Sequence, residues 1–130
     1  MIIAFANRHE LIEFVGPGVV STIVELGVFE GEFAAHCRLA LKPGHLTLID
    51  HWDYSQYDFV LEDAPQSKHI RRIFKDYFHG DPEKALHDAY GKVVDRFRGD
   101  SSVTILRLDI TKAAERFADG SIDCPGASTN

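Results

Sequence analysis

An acid, a glycine turn and a helix start follow one another in Val24-Glu25-Leu26-Gly27-Val28-Phe29-Glu30-Gly31. A strand-like run that enters a glycine turn and then a helix makes a ligand cradle. Glycine lets the backbone approach a bound group, and the first helical turn presents free N–H donors. A dinucleotide fingerprint needs glycines at GxGxxG spacing, and counted from Gly27 those positions hold Phe29 and Glu32. Glu30 and Glu32 also oppose a pyrophosphate, because two carboxylates at a helix start repel it. The turn is therefore expected to take a cationic or neutral group. A second acid closes the run Leu48-Ile49-Asp50, followed by His51 and Trp52. A strand-end carboxylate can accept both hydroxyls of a ribose, and an indole beyond it offers a flat face to a purine. Trp52 read alone also suits a core position. Asp109, at the end of a third apolar run, stands where it could accept a hydrogen bond from an exocyclic amine. His51 and Asp53 make half a metal site with no further ligand placed by spacing, so no metal is expected.

These residues need three strands and the helices between them. Residues 7–15 pattern as a helix ended by Gly16-Pro17-Gly18. Residues 19–28, rich in Val, Ile and Thr, read as a first strand, and residues 45–50 as a second. Between them Phe33, Ala34, Cys37, Ala40 and Leu41 mark one helix face, stopped by Lys42-Pro43-Gly44. Ile70, Ile73, Phe74, Tyr77 and Phe78 pattern as a helix up to His79-Gly80. Asp81-Pro82-Glu83 then starts another that runs to Gly99. Residues 103–108 read as a third strand and residues 111–118 as a short helix. Ser121 to Cys124 starts like a strand, and residues 125–130 read as a disordered tail behind a single domain over residues 1–124. The alternation predicts an α/β fold.

Composition narrows the partners. The chain has 130 residues, 14 Lys+Arg against 20 Asp+Glu and a net charge of −6, with no basic stripe to neutralise a phosphate backbone. Nucleic acid is excluded as the default partner. The apolar runs are far shorter than the ~20 residues that span a bilayer, and the first residues lack the basic start and cleavage site of a secretory signal. A cytoplasmic protein without a membrane partner is expected. Cys37 and Cys124 form no CxxC, which argues against a cysteine zinc site or a disulfide framework and leaves each as a small apolar residue.

Taken together, ExGxxxG at Glu25, Gly27 and Gly31, the strand-end acid Asp50, Leu106-Arg107-Leu108-Asp109 and Phe117-Ala118-Asp119-Gly120-Ser121-Ile122-Asp123 resemble a class I S-adenosylmethionine-dependent methyltransferase over residues 8–123. The resemblance implies a Rossmann-like parallel sheet in order 3-2-1, with helices on both faces. It implies S-adenosylmethionine as cofactor and a small-molecule methyl acceptor. In that family the glycine turn holds the amino acid end of the cofactor, the acid of the second strand binds ribose and the end of the third lies near adenine. The implied cofactor contacts are Glu25, Gly27, Val28, Phe29, Gly31, Asp50, His51, Trp52, Asp109 and Ile110. No residue is assigned as general base.

Two departures from the family pattern stand out. Phe29 occupies a position that most commonly holds glycine. After Asp123 the chain reads Cys-Pro-Gly-Ala-Ser-Thr-Asn, which cannot continue a central strand, so the family's later strands and most of its acceptor pocket are expected to be missing. The alternative is then a non-catalytic cofactor-binding half-domain that works through a protein partner. An uncovered first strand would be an apolar edge, predicting a homodimer through that edge or a second chain that supplies the missing strands.

Overall fold

The computed structural model describes residues 3–55 and 67–121. Within them the elements are α1 (Arg8–Val15), β1 (Thr22–Leu26), α2 (Glu32–Leu41), β2 (His45–Asp50), α3 (Ser67–Tyr77), α4 (Pro82–Arg96), β3 (Val103–Arg107) and a 3-10 helix (Ile110–Arg116). The three strands form one parallel sheet in the order β1-β2-β3. This is the expected 3-2-1 arrangement, with β2 in the centre. Its register pairs Glu25 with Leu48 and Asp50 with Arg107, which brings the acid-bearing strand ends to one edge of the sheet.

Parallel strands need long crossovers, and here α2 and α4 lie within them. Both bury their apolar stripes on the same face of the sheet. Ala34 of α2 and Ala89 and Val93 of α4 join Leu46 and Leu48 of β2 in one core, flanked by Ile23, Val103 and Ile105. The two helices come close at Gly31, the N-cap of α2 with φ +80°. A Cβ there would stand 3.0 Å from Val93 Cγ2, so both the backbone conformation and the close approach favour glycine. β2 is buried on both faces, as its near-continuous apolar run requires.

Local signals account for the helix starts. Asn7 accepts from the Glu10 N–H (3.1 Å) while the Glu10 carboxylate accepts from the Ala6 N–H (2.8 Å), a reciprocal cap for α1. Asp81 accepts from the Lys84 N–H (3.0 Å), and Pro82 opens α4. In place of the helix expected at 111–118, the chain forms a 3-10 helix capped by Asp109. The first strand spans five residues rather than ten, because the apolar residues at the ends of that run serve the flanking turns. Val20 is buried ahead of the strand and Val28 in the turn behind it. In α3, Ile73 and Tyr77 are exposed, and Phe78, just past its end, packs with Tyr54 and Leu86 in a second small core. Cys37 is buried, as expected of an apolar cysteine. The strand start expected at 121–124 is not formed at Ser121, and the rest of it, Cys124 and the tail at 125–130 lie outside the described residues. Among the described residues no helix is long and apolar enough to cross a membrane.

Candidate functional site

Asp50 ends β2 with its carboxylate turned inward, 7% exposed. Oδ2 accepts from the backbone N–H groups of Val28 (2.9 Å) and Phe29 (3.0 Å), and Oδ1 accepts from the N–H of Trp52 (3.0 Å). Three charge-assisted bonds to backbone donors offset the cost of burying the carboxylate, and His51 Nδ1 stands 3.9 Å from Oδ1. They also tie the turn after β1 to the turn after β2. A carboxylate offers about four acceptor sites, so the three bonds leave room for roughly one further hydrogen bond rather than for both hydroxyls of a ribose.

The turn that Asp50 holds is tightly specified. Gly27, at φ +82°, donates its N–H to Ile49 O (2.9 Å). Phe29 sits in the left-handed region at φ +54°, which disfavours a side chain by about 1–2 kcal/mol. Its N–H goes to Asp50, and its carbonyl accepts from the Trp52 indole N–H (2.8 Å). Trp52 is consequently a core residue, 1% exposed and packed on Tyr90 with ring centroids 5.0 Å apart. A purine-stacking face at Trp52 would require an exposed indole, and the structure buries it.

Glu25 is handled differently. Strand alternation puts it on the helix-covered face with Ile23. Its Oε2 is buried without a hydrogen-bond partner. Burial pushes its carboxyl up from 4.5 to about 7, with Arg8 opposing the rise and the charge of Asp50 adding to it. The same burial, with Glu25 beside it, lifts the Cys37 thiol to about 11, so Cys37 is not an activated nucleophile. Glu25 lines a cavity of about 350 Å³ together with Arg8, Gly27, Val28, Phe29 and Phe33; Glu30, Glu32 and Tyr77 complete its wall. Glu30 is ion-paired with Lys92 at 2.9 Å.

A second cavity, of about 330 Å³, opens at the carboxyl ends of β2 and β3 between His51, Asp53, Arg107, Leu108 and Asp109. The Thr111 N–H and hydroxyl, both donating to Asp109 Oδ1 (2.9 and 2.8 Å), hold the Asp109 carboxyl below the usual carboxylate range. Ser55 does the same for Asp53, so the carboxyls of Asp53 and Asp109 are ionised at neutral pH. The Asp53 N–H donates to His51 Nδ1 (3.0 Å), which makes that pair a local turn. Arg107 reaches back over the Tyr90 ring (4.7 Å) to the carbonyls of His51 and Trp52, bracing the wall.

The expected residues thus divide by position. Glu25, Gly27, Val28 and Phe29 line the first cavity, and His51 and Asp109 line the second. Asp50 joins the two turns, Trp52 supports them from the core, and Ile110 starts the 3-10 helix. Gly31 packs beneath α4, lining neither cavity. Arg8, Phe33 and Tyr77 were not expected at the site, since they reach the first cavity from elements whose packing no local pattern encodes. Comparison with family models, curated proteins and solved structures finds no match to this chain.

Two outcomes follow. Asp50→Asn replaces an acceptor oxygen with a donor facing backbone N–H groups, and it should lower unfolding free energy by about 2–4 kcal/mol. An unchanged midpoint in urea denaturation would show that the two turns do not depend on this carboxylate. Glu25 has a folded-state value above its unfolded one, so it favours the folded chain below about pH 4.5, a contribution lost as pH rises through about 7. Urea midpoints of the native chain should therefore drop across that window relative to Glu25→Gln. Parallel profiles would remove the buried-carboxyl account.

Proposed function

We propose that the chain binds S-adenosylmethionine in the manner of a class I methyltransferase. The observation that carries this reading is the orphaned Oε2 of Glu25, buried at the wall of a cavity that the glycine turn also lines. A carboxylate in that position gains its missing partner from an ammonium group, such as the α-amine of the cofactor. The fit extends to the second cavity, where ionised Asp109 and His51 offer polar contacts for a nucleoside at the carboxyl edge of a parallel sheet. Asp50 acts chiefly by holding the turn in its binding shape, with about one acceptor site left for a ribose hydroxyl.

When bound, the cofactor would supply an electrophilic methyl group on a sulfonium, open to displacement by a nucleophilic small-molecule acceptor. The chain's own contribution is positioning: Glu25 anchors one end of the ligand, the glycine turn lets the backbone approach, and Phe29 limits water. Isothermal titration with S-adenosylmethionine and S-adenosylhomocysteine should give saturable heat. Affinity should rise with pH toward about 7 and then level, because binding an ammonium requires the ionised form of Glu25. Glu25→Gln should weaken binding by about tenfold or more. No heat with either ligand at millimolar concentration would sink the reading.

A second reading is a cofactor-binding half-domain that works through a protein partner. It is favoured by the outer edge of β1, which has no partner strand among the described residues, while Leu26 beside it is 53% exposed and Val19 69%. Such an edge recruits another strand, from a second copy of the chain or from a separate polypeptide. On this reading, sedimentation of the purified chain should give a homodimer. A soluble monomer at ~100 µM would contradict self-pairing through β1, and transfer of labelled methyl to an acceptor in cell extract would contradict the non-catalytic assignment.

A further inference from the structure

α1 is held to the domain by few contacts. It buries none of its own residues and seats on α2. At that seat Arg8 lies over the Phe33 ring, 3.9 Å from its centroid, and His9 meets Phe33 edge-on at 5.5 Å. His9 also packs against His36 of α2, with ring centroids 4.6 Å apart. The Nε2 of His36 is buried there without a hydrogen-bond partner. Two imidazoles and a guanidinium thus share one aromatic contact, and none of them is ion-paired among the described residues.

We propose that this seat is a pH-sensitive latch: α1 docks on α2 while the His9 and His36 imidazoles are neutral, and it lets go as they take up protons in mild acid. A protonated ring carries an N–H at both nitrogens, so charging His36 leaves one N–H buried with no acceptor. Charging His9 sets a second cation against the first, beside a Phe33 ring whose face Arg8 already occupies. The other charges around the seat do not cancel this. Within α1, Glu10 is held by the Ala6 N–H, and Glu13, one turn beyond His9, is exposed. On α2, Glu32 is exposed, and the Cys37 thiol, lifted to about 11, stays protonated. Exposed carboxylates are screened by water and return little to a nearby cation. Glu25 of β1 reinforces the latch, because Arg8 favours its ionised form and acid removes that anion as the imidazoles charge. Arg8 is also part of the wall of the cavity of about 350 Å³ around Glu25. Docking of α1 therefore completes that wall and release opens it, whatever ligand the cavity takes.

The test follows hydrogen exchange along the full chain without ligand, with each rate taken relative to the unstructured rate at the same pH. Every imidazole that must be neutral for docking weakens it by about tenfold per pH unit once it titrates. Protection of residues 8–15 should therefore fall by about tenfold or more per pH unit between about pH 7 and about pH 5, while β2 keeps its protection. The Glu25 contribution to global stability runs the other way, growing as pH falls through about 7, which separates release of α1 from acid unfolding. His36→Phe keeps a ring at the contact without a titrating nitrogen and should reduce the slope, and adding His9→Phe should flatten it. A flat profile in the native chain, a slope unchanged in the double variant, or a loss spread evenly over α1, α2 and β2 would each overturn the latch. Should the variants fail to fold, imidazole proton resonances of the native chain decide: His9 and His36 should titrate together with the loss of α1 protection, and midpoints more than about one pH unit from it would overturn the coupling.

Discussion

Everything at the carboxyl edge of this sheet depends on how one buried carboxylate is neutralised. The charge of Asp50 is met at hydrogen-bond distance by three backbone N–H groups, with His51 Nδ1 standing 3.9 Å from Oδ1. Those donors come from two chain segments, so the carboxylate works as a cross-link between the turn after β1 and the turn after β2. Two conformations that disfavour side chains follow from it. Phe29 and Trp52 both sit at positive φ, +54° and +46°, and both donate their backbone N–H to Asp50. Strain of this kind persists only where surrounding contacts over-determine it. Here the indole bond from Trp52 to the Phe29 carbonyl closes the same loop of interactions from the other side.

The neighbouring acid shows what happens without such donors. Glu25 stands one strand away, in register with Leu48, two residues before Asp50. It faces the helices, where no backbone N–H is directed at its Oε2. The outcome is a carboxyl pushed toward neutrality rather than a cross-link. Two acids that look alike in the sequence are therefore treated differently by the fold: Asp50 is satisfied by backbone donors and ties two turns together, and Glu25 keeps a buried oxygen without a hydrogen-bond partner.

Much of the fold was legible because its signals are local. β2 lies where the apolar run His45–Asp50 placed it, and α4 begins at the Asp81-Pro82 start signal. The first strand was read too long because apolar content reports burial and not ladder pairing; Val20 and Val28 are buried in turns that the β-rich composition could not distinguish from strand. Asp109 was read as a ligand acceptor, although an acid followed two residues later by Thr111 also fits a cap, and the structure uses it as one. Trp52 and Arg8 show the harder limit. Whether an indole is open or buried depends on Tyr90 and the Phe29 carbonyl, and whether an arginine reaches the site depends on how α1 meets α2. Both are long-range facts with no local trace.

Phe29 stands where these constraints meet. A glycine at that position would relax about 1–2 kcal/mol of backbone strain. A phenylalanine contributes something that glycine cannot. Its ring packs with Phe78 (5.9 Å) and Tyr77 (6.5 Å) and joins the second small core around Tyr54 and Leu86, burying apolar surface worth on the order of the strain it carries. The same ring walls the Glu25 cavity and also lines a neighbouring cavity of about 550 Å³ that opens toward α4. The turn therefore keeps a strained side chain where that side chain separates two spaces and couples the glycine turn to α3 and α4. The coupling works only because Asp50 holds the Phe29 backbone on one side and Trp52 holds it on the other, so the strained phenylalanine and the burial of the strand-end acid are parts of one arrangement.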